Sequence, residues 1–207
     1  MYVPPHFKQT DRAAMIAFMQ RYSFATLVTA ADDCPTATHL PFIVLDDGEH
    51  LVLRAHFAKA NPQSRQIAAA QTCLVLFSEP HAYISPQLYE SPINVPTWNY
   101  IAVHAYGKAQ LIADEIAATA LLEQTINYYE AQYMVQWNSL PQDYKDRLLK
   151  GIVAFEIVVT ELQGKQKLSQ NKSDTDRQRI ADSLAQSPHS YEQDLANYMQ
   201  NSINNNC

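Results

Sequence analysis

Only four glycines occur in the 207 residues: Gly48, Gly107, Gly151 and Gly164. Ordinary usage near 7% would supply roughly fourteen. No two lie close enough to build GxGxxG or a Walker A loop, and both motifs need glycine where backbone approaches phosphate. Dinucleotide-fold and P-loop readings are therefore excluded. Disorder is excluded too, because 47% of the residues are hydrophobic and 10% aromatic.

Charge and hydropathy narrow the partners. Fifteen Lys and Arg stand against 21 Asp and Glu, a formal charge of −6. This balance lacks the basic excess that neutralises many phosphates, so nucleic-acid binding has no support from charge. No apolar run reaches the roughly 18 residues of a membrane span. The opening Met1-Tyr2-Val3-Pro4-Pro5-His6 carries no basic region followed by an apolar one, so no signal peptide is expected. Three widely spaced cysteines argue against a disulfide framework or a zinc ribbon, and the expected compartment is the cytoplasm. Cys34 falls in a turn around Asp32 and Asp33. Cys73 opens the apolar run Cys73-Leu74-Val75-Leu76-Phe77 and reads as core.

The pattern predicts mainly β structure with peripheral helices. Thr10 or Asp11 caps a first helix with Met15, Ile16, Phe18 and Met19 on its apolar face. Strands follow over 24–29, 37–45 and 51–56, linked by turns short enough to force an antiparallel meander. Asn61-Pro62 starts a helix running to about Gln71. Strands are expected at 73–77 and 82–84, a proline-rich loop over 85–97, and a long strand from Trp98 to Ile112 in which Gly107 marks a close backbone approach. Asp114 caps a helical stretch to Trp137, and a second helix ends at Gly151. A strand spans 152–162, then a polar segment 163–172. Ser173 or Asp174 caps a helix to about Gln186, and a short helix leads into a polar tail from Asn201. A barrel buries both faces of such a sheet, with 1–162 as the barrel domain and 163–207 as a C-terminal segment.

Three segments carry candidate chemistry. In His56-Phe57-Ala58-Lys59-Ala60-Asn61-Pro62 a strand ends, a lysine follows and a helix begins, which makes a small anion site. The same pattern also describes an ordinary capped helix beside an exposed lysine. Trp98-Asn99-Tyr100 and His104 offer stacking rings and an amide for a planar ligand, or simply fill a core. Lys165 to Lys172 is a run of donors and acceptors, either a solvated loop or a polar ligand rim. His39, His56, His81 and His104 show no HxH or HxxxH spacing, so a metal site is not expected. No Gly-x-Ser-x-Gly elbow is present for a hydrolase.

These residues together resemble the PaiB-type FMN-binding proteins. The resemblance rests on His39-Leu40-Pro41, on His56 to Pro62, and on Pro80-His81-Ala82-Tyr83-Ile84-Ser85-Pro86. It continues through Val95-Pro96-Thr97-Trp98-Asn99-Tyr100, Val103-His104-Ala105-Tyr106-Gly107 and Lys167-Leu168-Ser169-Gln170-Asn171, in that order. It implies an FMN-binding split β-barrel, a homodimer, and FMN at the subunit interface. It further implies that Lys59 and the helix start at Asn61 receive the FMN phosphate, with His39 and His56 beside the cofactor. Trp98, Asn99, Tyr100 and His104 would line the flavin pocket, and Lys167, Ser169, Gln170 and Asn171 would close it. Two departures stand out. Arg54 replaces an expected small residue, and Lys172 replaces a usual arginine and with it bidentate phosphate geometry.

Three functions compete. The first is an FMN protein of flavin-dependent redox or flavin-sensing type, with no catalytic acid or base identified. The second is a negative transcriptional regulator, the label the resembled family often carries. Its candidate basic surface is Lys165, Lys167, Lys172, Arg177 and Arg179, diluted by Asp174, Asp176 and Asp182. The third is a haem-binding protein using one of the four histidines.

Overall fold

A computed structural model describes residues 1–31, 34–67, 69 and 72–204. The turn at Asp32–Asp33, the expected helix end at Gln71, and Cys207 lie outside the described residues. Eight strands are present: β1 (Lys8–Gln9), β2 (Phe24–Ala31), β3 (Cys34–Pro41), β4 (Ile43–Asp46), β5 (Leu51–Ala58), β6 (Cys73–Ile84), β7 (Thr97–Leu111) and β8 (Ile152–Lys167). They form one sheet in the order β3-β2-β6-β7-β8-β5-β4, and β1 pairs with β8. The β1–β8, β2–β3, β2–β6, β4–β5 and β5–β8 pairs are antiparallel. The α-helices are α1 (Arg12–Arg21), α2 (Gln63–Gln66), α3 (Glu115–Glu130), α4 (Met134–Ser139), α5 (Gln142–Lys150), α6 (Asp174–Ala185) and α7 (Ser190–Asn204). The expected class, a mainly antiparallel sheet with peripheral helices, is the observed one.

The chain divides into two compact units. Unit 1 comprises Met1–Met15, Ser78–Val103 and Gln163–Cys207, and unit 2 comprises Ile16–Phe77 and His104–Leu162. In unit 2 the strands bury Leu27, Leu53, Phe57, Phe77, Phe155 and Ile157. The Phe57 and Phe155 rings stack at 4.8 Å, and Phe42 packs against Phe77 at 6.1 Å. Each such side chain stabilises the fold by roughly 1.5–3 kcal/mol on burial. Gly107 fits here because a Cβ would stand 2.3 Å from the Val158 carbonyl oxygen and 2.6 Å from Ile157 Cγ2. In unit 1, α6 buries Ile180, Ala181 and Leu184, and α7 buries Leu195, Ala196 and Met199.

Several expected boundaries move. The span 37–45 is not one strand, because Phe42 interrupts it between β3 and β4 and donates its N–H to the Ser23 carbonyl at 2.9 Å. The helix expected from Asn61 has a single turn, α2. Its Gln63 side chain is buried and donates to Leu27 O, Thr29 Oγ1 and Thr36 O, so tertiary anchoring outweighs helix propensity. The two strands expected at 73–77 and 82–84 are one, β6, running through Ser78 to His81. The polar stretch from Gln163 begins as strand, since Lys165 and Gly164 pair with Lys8 and Gln9. The polar C-terminal stretch is helical to Asn204, since Leu195, Ala196 and Met199 form one buried stripe.

Candidate functional site

Alternation along β5 sets the first site. Leu51, Leu53, Ala55 and Phe57 are buried, and Arg54 and His56 take the other face, half-buried. His56 is paired in register with Ala154. Burial pushes its imidazole below the usual 6.5, so it is neutral at pH 7. Lys59 follows the strand and is exposed, and its N–H donates to the Gly151 carbonyl at 2.8 Å. Its side chain lines a cavity of about 310 Å³ walled by Leu111, Ile112, Leu149, Ile152 and Ala154. Lys150 and Glu115 are the other charged groups at this cavity.

Asn61 is a positioning residue. Its Oδ1 accepts from the Gln63 N–H at 2.9 Å, and its Nδ2 donates to Thr38 Oγ1 at 3.0 Å. The Oδ1 contact closes the turn itself, and the Nδ2 contact pins it to β3. Arg54 does not reach toward an open anion site. Its Nε donates to Glu156 Oε2 at 3.1 Å and its Nη1 to Gln124 Oε1 at 3.4 Å. Arg54 and Glu156 line a separate cavity of about 320 Å³ with Ile112 and Leu121. His39 is exposed on β3, with its ring 6.3 Å from that of Phe24. His104 on β7 has a buried Nδ1 with no hydrogen-bond partner among the described residues, and burial holds its pKa below the usual value.

The remaining candidates lie in unit 1. Asn99 is fully buried. Its Nδ2 lies 2.9 Å from Ser169 Oγ, and that hydroxyl lies 3.1 Å from Asn99 Oδ1. Ser169 has φ +60°, a left-handed backbone that a non-glycine residue adopts only when its surroundings hold it. Lys167 Nζ donates to Thr97 Oγ1 and, at 2.7 Å, to the Trp98 carbonyl. Gln170 is occupied within its own turn: Nε2 donates to Gln166 O and Oε1 accepts from Leu168 N–H. Trp98 is exposed, 6.0 Å from the rings of both His81 and Tyr83. The Tyr100 ring lies 5.0 Å from Lys165 Nζ.

Lys167, Ser169 and Asn171 line a cavity of about 230 Å³ with Lys172, Thr97 and Asn94. Tyr89, His6 and Phe7 complete its wall. Tyr89 and Asn94 carried no sequence signal beyond lying in the proline-rich loop.

The five cations suggested as a basic surface do not form one. Lys165 is 8% exposed and Arg177 4% exposed. Arg177 is paired with Asp174 at 2.9 Å and Arg179 with Glu90 at 3.5 Å. Among the described residues, no three His, Cys, Asp or Glu side chains group to hold a metal ion. No described helix is long and apolar enough to cross a membrane.

A long-stranded antiparallel sheet of this order, with helices around it, is the split β-barrel of flavin-binding proteins. Two solved structures share it. One is the flavocytochrome Anf3 from Azotobacter vinelandii, with TM-score 0.64, 16% identity, and coverage of 84% of this chain and 77% of that one. The other is the FAD and heme binding protein from Mycobacterium smegmatis, with TM-score 0.61, 16% identity, and coverage of 82% and 78%. At sequence level, a family described as "Putative FMN-binding domain" matches residues 1–161, and the chain belongs to that family. It is 39% identical over 206 residues to the "Protease synthase and sporulation protein PAI 2" of Bacillus subtilis, covering 98% of each chain. FMN is the cofactor this membership assigns.

Proposed function

We infer that FMN is held in unit 2 at the cavity beside Lys59, and that the protein works in flavin-dependent redox or flavin-sensing chemistry as a cytoplasmic homodimer. One observation carries this reading: the end of β5 delivers a lysine to the rim of a cavity whose wall is otherwise largely aliphatic. A flavin phosphate needs a cation and donors, and its ring system needs apolar wall. Lys59 and Lys150 supply ammonium groups, and Leu111, Ile112, Ile152 and Ala154 supply wall. His56 and His104 do not line this cavity, so the reading rests on the lysines and the aliphatic wall. Asn61 holds the turn that places Lys59. When bound, FMN supplies one- or two-electron transfer, and the protein supplies binding and orientation.

The Bacillus subtilis relative is named for protease synthesis and sporulation, and a part in processes of that kind is the second reading. Burial and pairing of the basic residues near α6 disfavour DNA contact there.

The test is an absorption spectrum of purified protein after desalting, with titrations of FMN and riboflavin and with light scattering for mass. Flavin bands that survive desalting, tighter binding of FMN than of riboflavin, and loss of that preference in Lys59→Ala are the expected results. Equal affinity for FMN and riboflavin would overturn the phosphate assignment.

A further inference from the structure

Unit 1 handles its cations in two ways. Its two arginines on α6 have carboxylate partners, Asp174 and Glu90. The lysines at its cavity do not. Lys172 Nζ donates to Asn94 Oδ1 at 2.6 Å and stands 4.5 Å from the centre of the Tyr89 ring. Lys167 Nζ donates to the hydroxyl of Thr97 and a backbone carbonyl. Lys165, nearly buried and not itself lining the cavity, donates to the Tyr2 carbonyl at 3.2 Å. All of these acceptors are neutral, and among the described residues no carboxylate lines the cavity.

This arrangement leaves electrostatic work undone. Burial and the nearby Lys165 both disfavour the charged form of Lys167. A ring face and amide oxygens soften that cost but do not cancel the charge. An anion entering the cavity would meet two ammonium groups at once, and charge-assisted hydrogen bonds are roughly twice as strong as neutral ones. A hydroxyl is in place as well. Thr97 Oγ1 accepts from Lys167 and keeps its own proton to donate. Ser169 lines the wall but gives its proton to Asn99 Oδ1, so it shapes the site rather than donating into it. At about 230 Å³ the space suits a small group rather than a whole cofactor.

We propose that the unit 1 cavity is a binding site for a phosphate-type oxyanion, with Lys167 and Lys172 as its cations and Thr97 as a hydroxyl donor. The anion is either free or the terminal group of a larger ligand. This site is separate from the Lys59 cavity and does not depend on the FMN assignment.

The experiment uses the full chain and Lys167→Met/Lys172→Met, which removes both charges and keeps apolar stems. Thermal unfolding is followed in inorganic phosphate and in chloride of matched ionic strength, and FMN and riboflavin are titrated in parallel. The expected result is phosphate-specific stabilisation of the parent protein and at least tenfold weaker phosphate affinity in the variant, with FMN affinity unchanged. If the variant instead loses its preference for FMN over riboflavin, the oxyanion is the flavin's own phosphate, and the Lys59 assignment falls while this site stands. Stabilisation by phosphate no greater than by chloride, with the FMN preference intact in the variant, overturns the proposal. So does phosphate stabilisation that persists in the variant. Should the double variant fail to fold, Lys172→Gln carries the same test, since Lys172 is only half-buried and its loss leaves the Lys167 contacts in place.

Discussion

In unit 2, Lys59 opens onto a cavity walled by Leu111, Ile112, Leu149, Ile152 and Ala154, with a carboxylate, Glu115, also at the cavity. In unit 1, Lys167 and Lys172 share a smaller cavity lined by hydroxyls, amides and rings, without a carboxylate. The first combines one end that attracts charge with a long greasy flank, which suits a planar ligand carrying a phosphate. The second concentrates charge and hydrogen bonding in a small volume, which suits a compact anion. A lysine alone therefore says little about ligand class. The wall around it decides.

Four measurements separate the two cavities. The largest effect is on the unit 2 sheet. Gly107→Ala drives a Cβ into the Val158 backbone, which cannot swing aside, and should cost about 2–3 kcal/mol in denaturant unfolding. Flavin binding should weaken with it, whereas phosphate stabilisation measured below the unfolding transition should persist.

Next comes Lys59→Ala. Loss of a charged hydrogen bond of about 1.5–3 kcal/mol should weaken FMN roughly 10- to 100-fold, leaving riboflavin and inorganic phosphate unaffected. Weakened phosphate binding here would collapse the distinction between the sites. In unit 1, Asn99→Ala removes the partner that holds Ser169 at φ +60° and should cost about 1–3 kcal/mol. Calorimetry should show phosphate affinity falling with it and FMN affinity unchanged.

The smallest effect is a pH dependence. His56 and His104 both have pKa values lowered by burial. The unfolded chain then binds more protons than the folded one near and below pH 6.5, so their contribution to stability is present above that value. It is lost as pH falls through 6.5 toward the folded values. Urea midpoints measured from pH 7.5 to 5 should decline, and His56→Gln should flatten the decline.

Much of this architecture was legible from local pattern. The β2–β3 and β4–β5 hairpins, the long β7 with its tight glycine, the Asp114 and Ser173 caps and the helix end at Gly151 all follow from alternation and capping chemistry, whereas the expected meander does not form, because β3 and β4 lie at opposite edges of the sheet. What was not legible depends on partners far along the chain. The stretch Gln163 to Lys167 looks like a loop until β1, more than 150 residues earlier, supplies hydrogen bonds to Gly164 and Lys165. The short α2 is set by a glutamine anchored to β2 and β3.

The candidate sites divide likewise. Lys59 and Lys167 line cavities. Asn61, Asn99 and Gln170 look like ligand contacts by residue type, yet their amides are engaged internally. Tyr89 and Asn94 reach a cavity from a loop whose composition predicts nothing about where it folds.

Unit 1 draws on three separated stretches of chain, and its lysine cavity needs Phe7, Tyr89 and Lys172 together. During synthesis the chain emerges from its N-terminus at about 5–20 residues per second. The residues of unit 2 are complete once Leu162 has been made, while the first 15 residues and the segment 78–103 still await the C-terminal helices. Of those early stretches, β1 finds its strand partners, Gly164 and Lys165, only after Leu162 has been made. A ribosome stalled in that interval would present a chain holding every residue of the Lys59 cavity but lacking Lys167, Ser169, Asn171 and Lys172 of the lysine cavity.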